Sequence, residues 1–118
     1  MDLRSEVMRK LLTGAAALCA GLIGMPVSAQ PADGFPVEQV EAGRAQYNRT
    51  CAQCHGRNMV NSGTTIFDLR KFPADQPERF VASVSSGKGN MPSFKDALTR
   101  DQINVLWAYV ASRGGKGL

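Results

Sequence analysis

The sequence predicts an all-α domain. Two capped segments and one uncapped one place apolar residues at helical spacing, and no segment alternates apolar and polar residues over the length of a strand. A loop-rich stretch, 56–74, separates the first helical segment from the other two, and no internal repeat is present.

The first helix is predicted from about Val37 to Arg49. Val40, Gly43 and Tyr47 fall on one face at i, i+3 and i+7, and Cys51 continues the row. Gly43 costs this helix about 1 kcal/mol against Ala. Close approach of another helix backbone is one reason for it; a surface glycine without a role is the other reading. The second helix follows Asp75. Asp75 and Glu78 have capping-box spacing, Pro77 suits a first turn, and Gly87 is a plausible stop. Its stripe of Phe80, Val81 and Val84 reads as core. The last helix opens on the capping box Thr99 and Gln102 and carries Ile103, Leu106, Trp107 and Val110 on one face. Gly114-Gly115 is expected to end it.

Residues 1–29 read as a secretory leader. Arg4, Arg9 and Lys10 give a charged start, Leu11 to Met25 an apolar run, and Pro26-Val27-Ser28-Ala29 a small-residue cleavage site before Gln30. The run is about 15 residues, short of the roughly 20 that a bilayer span needs, so no stable membrane anchor is expected. Cys19 lies inside the leader, and Leu18 before it fits a lipoprotein signal poorly. Residues 30–36 are then a linker and 37–118 a single domain. Over residues 30–118 only 18 side chains are Leu, Ile, Val or Phe, about one in five. That is thin for a small domain, which buries a modest share of its surface and often needs a staple.

The staple is legible at Cys51-Ala52-Gln53-Cys54-His55. Two thiols about one helical turn apart, followed at once by a histidine, read as a covalent haem attachment site. Both sulfurs can reach the vinyl groups on one side of a porphyrin, and His55 is then placed where an imidazole nitrogen ligates iron. Three plainer readings fit less well. A thioredoxin-like pair would want a βαβ setting. A structural zinc site needs four ligands, and beyond the leader no other Cys or His remains. A disulfide would leave His55 unexplained. Export agrees with the haem reading, since bacterial haem attachment of this type takes place outside the cytoplasm; the periplasm is the expected location.

The second axial ligand is expected to be Met91, since His-Met ligation is a known pairing for electron-transfer haems. Met59, the other methionine beyond the leader, lies only four residues after His55, too close to cross to the far face of the ring. Met91 is followed by Pro92, which biases it towards an extended conformation, and sits in a glycine-containing loop between two helices. Such a site needs little ligand rearrangement on changing oxidation state, and thioether sulfur together with burial should raise its potential. Arg70 and Lys71 are candidate partners for the haem propionates, because buried carboxylates need partners; two solvated loop cations are the other reading.

These residues resemble a class I cytochrome c. The resemblance rests on Cys51-Ala52-Gln53-Cys54-His55-Gly56, on Met91-Pro92 in a loop, and on Leu106-Trp107-Ala108-Tyr109-Val110 in the terminal helix. Gly43 and Tyr47 match the family's N-terminal helix, which crosses its C-terminal helix at a glycine and aromatics. The resemblance implies helices wrapped around one covalent haem c with an exposed edge, a six-coordinate iron, and electron transfer rather than substrate turnover: a carrier, not an enzyme. A narrower likeness runs through Asn58-Met59-Val60, Phe67-Asp68-Leu69-Arg70-Lys71-Phe72-Pro73 and Gly87-Lys88-Gly89-Asn90-Met91-Pro92. It is similar to small cytochromes c that accept electrons from periplasmic quinoprotein (PQQ-dependent) alcohol dehydrogenases, including relatives that serve lanthanide-dependent methanol oxidation. That likeness implies such a dehydrogenase as donor, and a terminal oxidase or another cytochrome as acceptor.

Residues 30–118 carry 11 Lys and Arg against 8 Asp and Glu. Two ionised propionates would offset most of that excess. A modest basic face suits docking to an acidic redox partner, whereas scattered cations on an exported chain do not suit nucleic acid. Two rivals remain: a fixed cytochrome subunit of a larger oxidoreductase, and a haem sensor or enzyme with an open iron position. If the haem is the missing core, the Cys51→Ala, Cys54→Ala double variant should be largely unfolded. A helical circular-dichroism spectrum as strong as the holoprotein's would refute this.

Overall fold

Residue chemistry along the chain yields four helices in the computed structural model, which describes residues 34–61, 63 and 65–116 and the isolated positions 21 and 24. The expected leader and most of the linker lie outside the described residues. Helix α1 spans Val37–Thr50, α2 Ala52–His55, α3 Pro77–Ser86 and α4 Arg100–Ala111, with short 3₁₀ turns at Arg57–Met59 and Leu69–Lys71. Among the described residues the sole β-type pairing is an isolated bridge between Lys88 and Met91 and a bridge position at Phe35, so the all-α expectation holds.

The expected face of α1 is the buried one. Val40, Gly43 and Tyr47 are inside, joined by Gln46. Gln46 is satisfied there: its Nε2 donates to Thr50 Oγ1 at 2.8 Å, and its Oε1 accepts from Arg49 Nη2 at 2.8 Å. The chain turns almost directly from α1 into α2, with the Cys51 N–H donating to the Tyr47 carbonyl and the His55 N–H to the Cys51 carbonyl.

The capping box of α4 forms as read. The Thr99 N–H donates to Gln102 Oε1 at 2.8 Å and the Gln102 N–H to Thr99 Oγ1 at 3.2 Å. The capping reading at Asp75 is corrected. The N-cap of α3 is Gln76, without a side-chain cap bond, and Pro77 is its first residue. A turn closed by the Gln76 N–H on the Pro73 carbonyl places Asp75 one residue too early to cap. Glu78 is then the second helical residue, not the third, and Arg79 at the third reaches back to Gln76 Oε1 instead, at 3.0 Å. Gly87 stops α3 as expected.

Helix α4 is buried nearly all round, because it is the central element. Ile103, Leu106, Trp107 and Val110 are inside as predicted, and so are Ala108, Tyr109 and Ala111. One side meets α3 and the preceding loop, where the Trp107 ring lies 5.2 Å from Phe80 and 5.9 Å from Phe72. The other side meets α1. A Cβ built on Gly43 would overlap the Val105 carbonyl oxygen and stand 2.8 Å from Tyr109 Cβ. Gly43 is therefore the backbone-approach glycine of the two readings. One turn on, the Tyr47 and Tyr109 rings pack with centroids 5.0 Å apart.

Any side chain at residue 43 must push the two backbones apart along the whole interface, because the obstacle is main chain rather than a movable side chain. Gly43→Ala should therefore cost about 3 kcal/mol and lower the thermal midpoint of the holoprotein by more than about 10 °C. An unchanged midpoint in differential scanning calorimetry would contradict the rigid crossing.

Candidate functional site

Cys51, Cys54 and His55 share one helical turn. Cys51 precedes α2, half-buried against the core, whereas Cys54 is exposed. Both are free thiols rather than a disulfide. Burial, with Cys54 beside it, pushes the Cys51 thiol up to about 11. Among the described residues no group of three or more His, Cys, Asp and Glu side chains could hold a metal ion. A porphyrin brings its own four equatorial nitrogens and asks the protein for axial donors alone.

The His55 ring is oriented from outside its own helix. Nδ1 lies 3.2 Å from the Phe67 carbonyl oxygen. A carbonyl accepts and cannot donate, so Nδ1 is the donor in this contact, and in the neutral ring that leaves the lone pair on Nε2. A second tie holds the end of the motif: the Tyr47 hydroxyl donates to the Gly56 carbonyl at 2.7 Å. Burial is the main cause that raises the Tyr47 pKa, with Cys51 and Tyr109 adding to it, so the phenol stays protonated and remains a donor.

Met91 comes from a different element, the loop between α3 and α4. Lys88 and Met91 exchange backbone hydrogen bonds at 3.0 and 3.1 Å across a tight turn. The turn is fastened to the end of α3: the Ser93 hydroxyl donates to the Ser85 carbonyl and the Phe94 N–H to the Val84 carbonyl. Gly87, at φ +77°, lets the strand of chain fold back, since a Cβ there would stand 2.7 Å from the Met91 carbonyl oxygen. Met91 is half-buried. Met59 is 2% exposed and belongs to the core.

Arg70 and Lys71 lie on the 3₁₀ turn beyond Phe67 and are differently engaged. Arg70 makes a forked pair with Asp68 at 2.8 and 2.9 Å, and the same carboxylate caps the turn through the Arg70 N–H. The Arg70 hydrogen bond holds the Asp68 carboxyl down to about 2. Lys71 is exposed and lines a cavity of about 630 Å³ with Asn61, Thr65, Ile66 and Phe67. Two functional contacts were not read from the sequence. The Phe67 acceptor is main chain and carries no sequence mark. The Tyr47 hydroxyl had a faint one, a tyrosine rather than a phenylalanine on a buried face.

The family model described as cytochrome c oxidase, cbb3-type, subunit III matches residues 38–110. The chain is 35% identical over 79 residues to cytochrome c6 of Microcystis aeruginosa, covering 64% of this chain and 98% of that one. The chain belongs to the class I cytochromes c. Cytochrome c6 of Leptolyngbya boryana is 39% identical over 80 residues, with 64% and 94% covered. The quinohemoprotein alcohol dehydrogenase ADH-IIG of Pseudomonas putida is 35% identical over 85 residues, which is 70% of this cytochrome and 12% of that enzyme. No solved structure gives a match. Membership brings one covalent haem c and the role of electron carrier, and Cys51 and Cys54 stand at the spacing that haem attachment requires.

Proposed function

We propose that Cys51 and Cys54 hold the haem as thioethers, that His55 Nε2 and Met91 Sδ are its axial ligands, and that the protein is a periplasmic carrier rather than an enzyme. The observation that carries this is the contact of His55 Nδ1 with the Phe67 carbonyl, which presents Nε2 and raises its basicity as a ligand. The haem supplies one-electron chemistry when bound. The chain would supply the rest: α1 and α2 place both thiols on one turn, the Phe67 carbonyl holds the imidazole, the Gly87–Phe94 loop carries Met91, and Trp107, Phe72 and Phe80 form part of the apolar core. Lys71, exposed beside the cavity, is the better placed of the two propionate partners, because Arg70 is already held by Asp68. A periplasmic location rests on the leader pattern in residues 1–29.

The donor we propose is a PQQ-dependent quinoprotein alcohol or methanol dehydrogenase, with a terminal oxidase or another cytochrome as acceptor. Support comes from the two Pseudomonas putida quinohemoprotein alcohol dehydrogenases to which this chain is 35% and 36% identical. The chain spans 12% and 13% of their lengths, and that proportion favours a second reading, a fixed subunit or module of a larger oxidoreductase.

Met91→Ala should abolish the sulfur-to-iron absorption band of the oxidised protein and lower its reduction potential, since a thioether ligand raises potential. An unchanged band and potential would remove Met91 from the site. Size-exclusion chromatography with a quinoprotein alcohol dehydrogenase, followed by substrate-driven reduction of the haem, separates the two partner readings. A diffusible carrier elutes alone and is reduced catalytically, whereas a subunit co-elutes.

A further inference from the structure

Helix α4 ends in a Schellman motif, with the Gly114 N–H on the Tyr109 carbonyl at 2.8 Å and the Arg113 N–H on the Val110 carbonyl at 3.1 Å, and its left-handed position is taken by Arg113 rather than by the usual glycine. The Arg113 φ is +53°, and the two residues after it, Gly114 and Gly115, also have positive φ. Glycine meets that requirement without cost, whereas a long side chain there carries backbone strain. Such strain persists where the surroundings over-determine it, and it clusters at functional sites. The side chain accounts for its retention. Nη1 donates to the Leu69 and Val110 carbonyls, each at 3.2 Å, and Nη2 to the Phe72 carbonyl at 2.6 Å. One half-buried guanidinium thus bolts the last turn of α4 to both ends of the segment 69–72.

That segment begins two residues after Phe67, whose carbonyl meets His55 Nδ1. The links between are short and stiff. Asp68 caps the 3₁₀ turn through the Arg70 N–H, and Phe67 packs edge-on to Phe72 at 6.2 Å. Phe72 in turn is wedged against Phe80 and Trp107. Fixing the Leu69 and Phe72 carbonyls therefore fixes the height and direction of the Phe67 carbonyl relative to the imidazole. We propose that Arg113 is a positioning residue for the haem iron, acting through the Phe67 carbonyl on the donor strength of His55. The proposal rests on His55 being an axial ligand.

The sign follows from the ligand. A firm Nδ1–H···O bond makes the imidazole a stronger donor, and a stronger donor favours the oxidised iron. Loosening the bond favours the reduced form and raises the potential. Loss of a nearby positive charge acts the opposite way, because it makes oxidation easier. The test must therefore keep the charge.

Arg113→Lys retains the cation and loses the fork that spans two carbonyls. Arg44→Lys is the matched control. Arg44 also donates to a carbonyl at this end of the fold, Gly114 at 2.8 Å, and lies over the Tyr109 ring, but these contacts do not involve the 69–72 segment. Two readouts on the purified holoproteins apply: the reduction potential, and the solvent exchange rate of the His55 Nδ1 proton by NMR of the reduced form. Arg113→Lys should shift the redox equilibrium two- to tenfold towards the reduced form, at most about 59 mV for one electron, and should speed Nδ1–H exchange severalfold. Arg44→Lys should do neither, whatever it does to thermal stability. Arg113→Gly, which suits the backbone, should exchange at least as fast as Arg113→Lys while remaining folded. An Arg113→Lys potential and exchange rate equal to wild type, or moved equally by Arg44→Lys, would overturn the proposal. If the wild-type protein showed no His55 coordination in its NMR spectrum, the ligand assignment would fall first and this inference with it.

Discussion

The position of the Cys51–His55 motif depends on the close crossing of α1 and α4 at Gly43. The obstacle to any side chain there is the Val105 main chain, so the separation of the two helices is set by backbone against backbone. This separation brings Tyr47 onto Tyr109 and fixes the height at which the Tyr47 hydroxyl meets the Gly56 carbonyl. Gly56 follows His55 directly. The attachment motif is thus referenced, through Tyr47, to the crossing one helical turn earlier, and two pieces of chain far apart in sequence act as one frame.

The opposite end of α4 serves the other side of the motif. Arg113 holds the carbonyls of Leu69 and Phe72, the ring of Phe72 fills the space beside Trp107 and Phe80, and the Phe67 carbonyl reaches His55. The Met91 loop is independent of both, since it hangs from the end of α3 through Ser85, Val84 and Gly87. His55 is tied through the Phe67 carbonyl to the segment that Arg113 holds, and Met91 to a separate turn at the end of α3, so different parts of the fold place the two residues.

The helices were legible because their signals are local. The Thr99 and Gln102 pair lies within one turn of chain, and it forms as read. The stripe in α1 and that in α4 each answer to one period, and both are buried. Asp75 shows where local reading gives way: a turn from Pro73 moved the start of α3 by one residue, and the spacing with Glu78 lost its meaning. Arg70 is a milder case. A cation two residues from an aspartate is open to that partner, and Arg70 is paired with Asp68.

By itself the sequence determined the attachment chemistry: two thiols with a histidine directly after them, at the spacing that suits a covalent haem, and enough helical periodicity to name the class. These are properties of side-chain identity and of contacts within a few residues, so one strand of letters can carry them. The tertiary structure decided the orientation. The Phe67 and Gly56 carbonyls and the approach at Gly43 are main-chain features, and every residue has the same main chain. Which carbonyl faces the histidine, 12 residues along the chain, and which carbonyls Arg113 takes, 41 and 44 residues before it, emerge only when those segments are packed together.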